Sequence, residues 1–410
     1  MYSFIARQPI VNANDRIVAY ELLFREGFKN KFPSIDPEQA TSRLLTEHFF
    51  LTNVQGYDNT LYFVNFPYQS LVEQIPTLFT ANQLMIEILE NCPPSDELFS
   101  AVKSMYAKGY KIALDDFVPS ESWERFLPYI TTVKFDIKQI SIEDAQKFIH
   151  QHKTLPLYYL AEKIDTKEEL EAARAAGFDY FQGYELHEPE IIKRKRIESS
   201  PFTVEQLEIA INQTPIDYQL IERLIRHDVT MSYKLMRYVH AHLIDSTFHS
   251  FEEVFHALGF EQIRLFIALS LTAAYDTDPS HYYETSMQRA HFCEQVAALQ
   301  QFDINIEHAY YVGMFSQLDK LLEQPLSHLI ETLPLGRPAI DALIAQQGVL
   351  GDMLALAIAY EKQDLSNIQW LTSKLKLDPS QTEHFYRNAV DWSTPEYHHR
   401  RLDGKLSHQC

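Results

Sequence analysis

The chain has 410 residues, 46% of them hydrophobic and 22% charged, with a formal net charge of −20; that length suits two or three domains, each able to bury its own core. The acidic balance argues against general nucleic-acid binding, which depends on a surplus of Lys and Arg, but leaves room for one small anionic ligand where a site carries its own cations. Three widely spaced cysteines (Cys92, Cys293 and Cys410) suit a reducing compartment and neither a disulfide framework nor a zinc site, and with no signal-like start in MYSFIARQPI and no apolar run nearing ~20 residues the expectation is a soluble, cytoplasmic protein without a membrane partner.

Up to about residue 190, short apolar runs alternate with longer amphipathic stretches. The strand-like runs are 4–10, 17–24, 61–66, 84–89, 111–117, 132–137, 157–164 and 180–186. They are rich in β-branched and aromatic residues and mostly lack polar alternation, which is how buried parallel strands read. Helix-like segments lie between most of them, such as 39–52, 95–109 and 166–177, the last two closing on glycine. This α/β pattern predicts a compact (β/α) TIM-like barrel over 1–190, although spacing alone also allows an open doubly wound sheet.

The stretch 191–203 holds the charge run KRKR and reads as a solvated linker. From 204 to 410 the apolar residues recur at i, i+3 and i+4, which predicts an all-α domain. His227-Asp228 reads as a helix start capped by Asp228 rather than a metal pair. The tail, with His398, His399 and His408, reads as a polar terminus.

Polar side chains interrupt the barrel strands near their C-terminal ends: Glu21, Asn65, Glu87, Asp115, Asp116, Glu162 and Gln182, with Lys134 placed likewise. In a barrel these ends meet on one rim. Oxygen ligands converging there suit hard divalent ions, Mg²⁺ or Mn²⁺, rather than zinc. A pair of such ions would serve phosphodiester displacement.

The same residues, in order, resemble the EAL family of cyclic di-GMP phosphodiesterases across nearly all of 1–190. Gln8-Pro9-Ile10 resembles the opening QPI, and Glu21-Leu22-Leu23-Phe24-Arg25 the EAL-x-R motif, with Leu22 for Ala. Asn65 stands for the VN motif, Glu87 and Glu90 for the Glu-rich segment, and Asp115-Asp116-Phe117 for DDF. Lys134-Phe135-Asp136 stands for KxD, Ala161-Glu162 for AEG and Gln182-Gly183-Tyr184 for QGY. The resemblance implies Glu21, Asn65, Glu87, Asp115 and Glu162 as ligands of a first metal and Asp116 as the route to a second. It gives Lys134 the attacking water, with Glu21 and Glu162 also catalytic. Gln8, Arg25 and Gln182 would contact substrate, and Glu90 and Asp165 would support the loops. The implied reaction opens cyclic di-GMP to linear pGpG. A homodimer is among the assemblies it allows.

Two departures stand out. The glycine-rich loop after DDF is here Phe117-Val118-Pro119-Ser120-Glu121-Ser122, and Lys163 replaces the glycine of AEG. A silent cyclic di-GMP sensor or scaffold is the alternative that these changes favour.

In the helical half, HALGFEQIR (256–264) resembles the ALG…R signature of HDOD domains. Residues 311–320 resemble the metal-binding segment of HD hydrolases, with Ser316 and Gln317 in place of the His-Asp pair. A hydroxyl and an amide cannot rebuild that centre. The resemblance implies a regulatory module that binds an unidentified protein partner.

Overall fold

A computed structural model describes residues 2–25, 35–50, 60–242, 248, 250–274, 281–299, 302–331 and 333–393. The tail histidines and Cys410 lie outside them. The chain divides into two compact units, Met1–His48 with Val54–Arg194, and Phe49–Asn53 with Lys195–Cys410.

The first unit is a closed barrel. Its strands are β1 (Tyr2–Asn12), β2 (Ile17–Arg25), β3 (Leu61–Phe66), β4 (Leu84–Ile88), β5 (Lys111–Leu114), β6 (Thr132–Asp136), β7 (Tyr158–Glu162) and β8 (Tyr180–Phe181). From β2 to β8 each strand pairs in parallel with the next. Strand β1 closes the ring by pairing antiparallel with both β2 and β8. The uniformly parallel barrel expected from the apolar runs is thus corrected at β1. Its turn is too short for a crossover: the Asn12 side chain accepts from the amides of Asn14 and Arg16, folding a hairpin.

The helices of this unit are α1 (Pro37–Leu45), α2 (Tyr68–Val72), α3 (Asp96–Ala107), α4 (Ile142–Gln151) and α5 (Lys167–Ala176). Local chemistry sets their ends. Ser95 caps α3 and Ser141 caps α4. Thr166 and Glu169 form a reciprocal capping box on α5, which stops at left-handed Gly177.

The stretch 191–203 is not a linker. Strand β9 (Glu190–Lys195) pairs on β1 as a ninth strand, and the first helix of the second unit starts at Pro201. The charge-rich run EIIKRK suits an edge strand, where Lys and Arg discourage further pairing.

Among the described residues the second unit, beyond the last residue of β9, is helical: α6 (Pro201–Ile211), α7 (Tyr218–Arg226), α8 (Val229–His242), α9 (Phe251–Leu258), α10 (Phe260–Ala273), α11 (His281–Ala297), α12 (Ile306–Phe315), α13 (Leu318–Leu322), α14 (Leu326–Ile330), α15 (Arg337–Ala345), α16 (Gly348–Glu361), α17 (Leu365–Lys374) and α18 (Pro379–Trp392). Gly259, at φ +75°, turns the chain by 105° between α9 and α10, a backbone angle that side chains resist. Asp228 does cap α8: its Oδ1 accepts from the Met231 amide at 2.9 Å. The stretch Arg337–Glu361 departs from the expectation about apolar runs, being long and apolar enough for a membrane span. Half of its most apolar 18-residue window is buried, and left-handed Gln346 interrupts the stretch.

Candidate metal centre at the barrel rim

Side chains two residues apart on a strand share a face, and that period builds the site. One apolar layer inside the barrel comprises Ile10, Ala19, Phe63, Met85, Ala113 and Leu160, with Tyr180 against it. One step further along each parallel strand stand Glu21, Asn65, Glu87, Asp115, Glu162 and Gln182. Strand β1 runs the other way, so its residue at this level precedes Ile10: Gln8 sits opposite Glu21 in the ladder. Lys134 follows buried Thr132 by the same step on β6. An apolar plug therefore floors a ring of polar groups.

The Lys134 ammonium is fully buried at the centre of this ring. It pairs with Asp115 Oδ1 at 2.6 Å, Glu162 Oε1 at 2.9 Å, Glu21 Oε1 at 3.8 Å and, more closely still, Glu87 Oε1. Amides hold Glu21 from two sides, Asn65 Nδ2 donating to Oε1 at 3.2 Å and Gln182 Nε2 to Oε2 at 2.7 Å. Gln182 is set by Gly183, where a side chain would collide with the Ile164 backbone.

One ammonium does not neutralise four carboxylates. Burial, then repulsion from Glu21 and Asp115, pushes Glu87 well above the ordinary carboxylate range, although Lys134 works against the shift. Burial does the same to Glu162, with Asp115, Glu21 and Asp116 adding repulsion. Burial opposes the charge on Lys134, yet its four carboxylate neighbours raise it well above the usual lysine value.

Several buried oxygens have no hydrogen-bond partner: Asn65 Oδ1, Glu87 Oε2, Glu162 Oε2 and Gln182 Oε1. Such atoms are costly unless something cationic or protic meets them. Carboxylate oxygens of Asp115, Asp116 and Glu162 also lie within 4.8 Å of one another. Buried, unsatisfied and exclusively oxygen, the set fits a hard divalent ion.

The remaining predicted residues surround this ring. Arg25, on the same face of β2 as Glu21, is buried and donates to the Phe24 carbonyl at 2.9 Å. Burial lowers its pKa, with Glu21 opposing. Glu90 is exposed on the rim of a cleft of about 290 Å³ that Asn65 also lines. Asp165 turns away to Lys138, at 3.1 Å.

Two residues that the motifs name without a role also contribute. Asp136, buried on β6 two residues beyond Lys134, accepts from the Lys138 amide at 2.8 Å and Gln139 Nε2 at 3.0 Å. It also accepts from Lys163 Nζ at 2.6 Å, and Lys163 reaches Asp116 at 3.3 Å. The available signals were the i, i+2 spacing of Lys134 and Asp136 and a lysine directly after Glu162.

In the second unit Ser316 is tied into an ion-pair network. Arg289 grips Glu361 through two bonds of 2.7 Å and donates to Ser316 Oγ at 3.1 Å. His291 stacks on Trp392, with ring centroids 4.6 Å apart. Gln317 precedes α13 without capping it.

Known proteins match the chain along nearly its whole length. The Vibrio cholerae protein "Cyclic di-GMP phosphodiesterase CdgJ" is 38% identical over 401 residues, 96% of this chain and 93% of that protein. The EAL domain family matches residues 65–189. The chain belongs to the EAL-domain family. Its EAL barrel and helical unit together also align with the uncharacterized Bacillus subtilis protein YuxH, at 28% identity over 99% of this chain and all of that one. Among solved structures, Klebsiella pneumoniae BlrP1 in its calcium and cyclic di-GMP complex is 21% identical. It covers 46% of this chain and 56% of its own, with a TM-score of 0.40.

Proposed function

We propose that this EAL barrel hydrolyses cyclic di-GMP at one phosphodiester bond, giving linear pGpG, in a reaction that depends on a divalent ion. The observation that carries the reading is the ring of Glu21, Glu87, Asp115 and Glu162 around a single buried ammonium, with oxygens left over. The 38% identity to a relative named for this activity supports it.

Glu21, Asn65, Glu87, Asp115 and Glu162 would hold the ion, Mg²⁺ or Mn²⁺, and Asp116 is the approach to a second. A bound ion would supply an acidified water and charge neutralisation on the phosphate. Gln182 and Asn65 keep the Glu21 carboxylate oriented. Lys134 orients the attacking water with its ammonium. Arg25 offers a guanidinium to a substrate phosphate, and Gln8 lies at the right level of the barrel to meet the nucleotide. The helical unit we read as an HDOD-type regulatory module that binds a protein partner, with Ser316 and Gln317 where the resemblance expects a metal pair and Arg289 bonded to Ser316.

The test is chromatography of cyclic di-GMP after incubation with purified protein and Mn²⁺ or Mg²⁺. Formation of pGpG by wild type and its loss in Glu21→Ala is the expected result. Intact dinucleotide with either metal overturns the enzyme reading. Binding without hydrolysis would instead favour a sensor, the alternative supported by Pro119 and the exposed Val118 in the loop after Asp116.

A further inference from the structure

Lys163 adopts φ +59°, the left-handed region that favours glycine and costs a residue with a side chain about 1–2 kcal/mol. The chain nevertheless places a lysine here, where the EAL motif has glycine. Its side chain is used: Nζ lies 2.6 Å from Asp136 and 3.3 Å from Asp116. Asp136 is itself fixed by the Lys138 amide and the Gln139 side chain. The ammonium is therefore anchored on one carboxylate and leans on the other.

Asp116 is the group through which a second ion would enter. It too has a positive φ, +40°, and its oxygens approach those of Asp115 and Glu162. We propose that Lys163 is a tethered cation that replaces the second divalent ion at Asp116, so that the centre binds one ion tightly. This rests on the metal-dependent reading given above. A divalent ion on Asp116 would sit beside a like charge already bonded to the same carboxylate, and would have to displace it.

A lysine is cationic at neutral pH, and here Asp136 and Asp116 both face its ammonium. Its half-exposed side chain leaves it able to swing away, which makes the second ion weak rather than forbidden.

The test counts ions. Full-length protein is stripped with EDTA and titrated with Mn²⁺ while free Mn²⁺ is followed by electron paramagnetic resonance. Wild type and Lys163→Arg should take up one tight ion, any second binding at least about tenfold more weakly. Lys163→Gly, which suits the backbone angle, should take up two of similar affinity. Should that variant fail to fold, Lys163→Gln keeps the wild-type backbone demand, removes the charge and should also bind two. Two equivalent ions on wild type, or one on both neutral variants, overturns the proposal. No tight Mn²⁺ on wild type overturns the metal reading beneath it.

Discussion

Gln182 Nε2 donates to Glu21 Oε2 at 2.7 Å, joining β2 to the end of the last parallel strand. In the proposed reaction Glu21 would offer a fixed oxygen to the ion, held by a residue that need not touch it. Loss of such supporting partners typically costs about 10–100-fold in metal affinity or activity, and loss of a ligand more. Gln182→Ala should fall in that range, and Glu21→Ala should lose over a hundredfold, both read by pGpG formation at saturating Mn²⁺. Equal activity of Gln182→Ala and wild type would mean that Glu21 is oriented by other means.

Lys134 is the cation that the four ring carboxylates share. Removing one partner from a buried charge cluster typically costs about 3–5 kcal/mol. Lys134→Met should lose that much in EDTA, measured by urea unfolding. Mn²⁺ should stabilise this variant more than wild type, because an ion that binds only the folded state adds to its stability. A variant as stable as wild type in EDTA would show that water already screens these carboxylates.

His48, against the Tyr62 ring, supplies a pH dependence of its own. Burial, with Arg194 and Arg7 adding positive charge, lowers its pKa from 6.5 to about 3. The unfolded chain therefore binds a proton that the folded barrel refuses, and stability falls as pH drops from about 6.5 towards 3. The limiting slope is about 1.4 kcal/mol per pH unit for one group. His48→Phe should lose less stability than wild type between pH 7 and pH 4.5, compared by urea unfolding. Parallel losses would place the protonation elsewhere.

In the helical unit, Arg289→Met should strand the Glu361 carboxylate and cost about 3–5 kcal/mol. Near-ultraviolet circular dichroism during urea unfolding, with Trp392 as a reporter in that unit, would follow it. An unchanged transition would mean that the Arg289–Glu361 bonds contribute only what a surface pair does.

The polar ring was legible because strand geometry is local: a period of two, read from the apolar layer, brings six strand ends to one level. The direction of β1 is legible too in the four residues between Asn12 and Ile17, since no parallel connection is that short. Strand β9 was hidden by composition, because an edge strand built of Lys and Arg resembles a solvated connector. Lys163 was hidden for a different reason. Its proposed role depends on Asp116 and Asp136, brought to it from two other strand ends.

The antiparallel closure at β1 bears on synthesis. Val11 and Asn12 pair with Phe181 and Tyr180, about 170 residues further along the chain. A ribosome must therefore release most of the EAL domain before the ring can shut, and contacts so distant in sequence form slowly. Until then the nascent chain carries Glu21, Glu87 and Asp115 in water, where their charges repel harmlessly. The acidic pocket becomes electrostatically demanding only in the final step of closure, when Gln182 arrives.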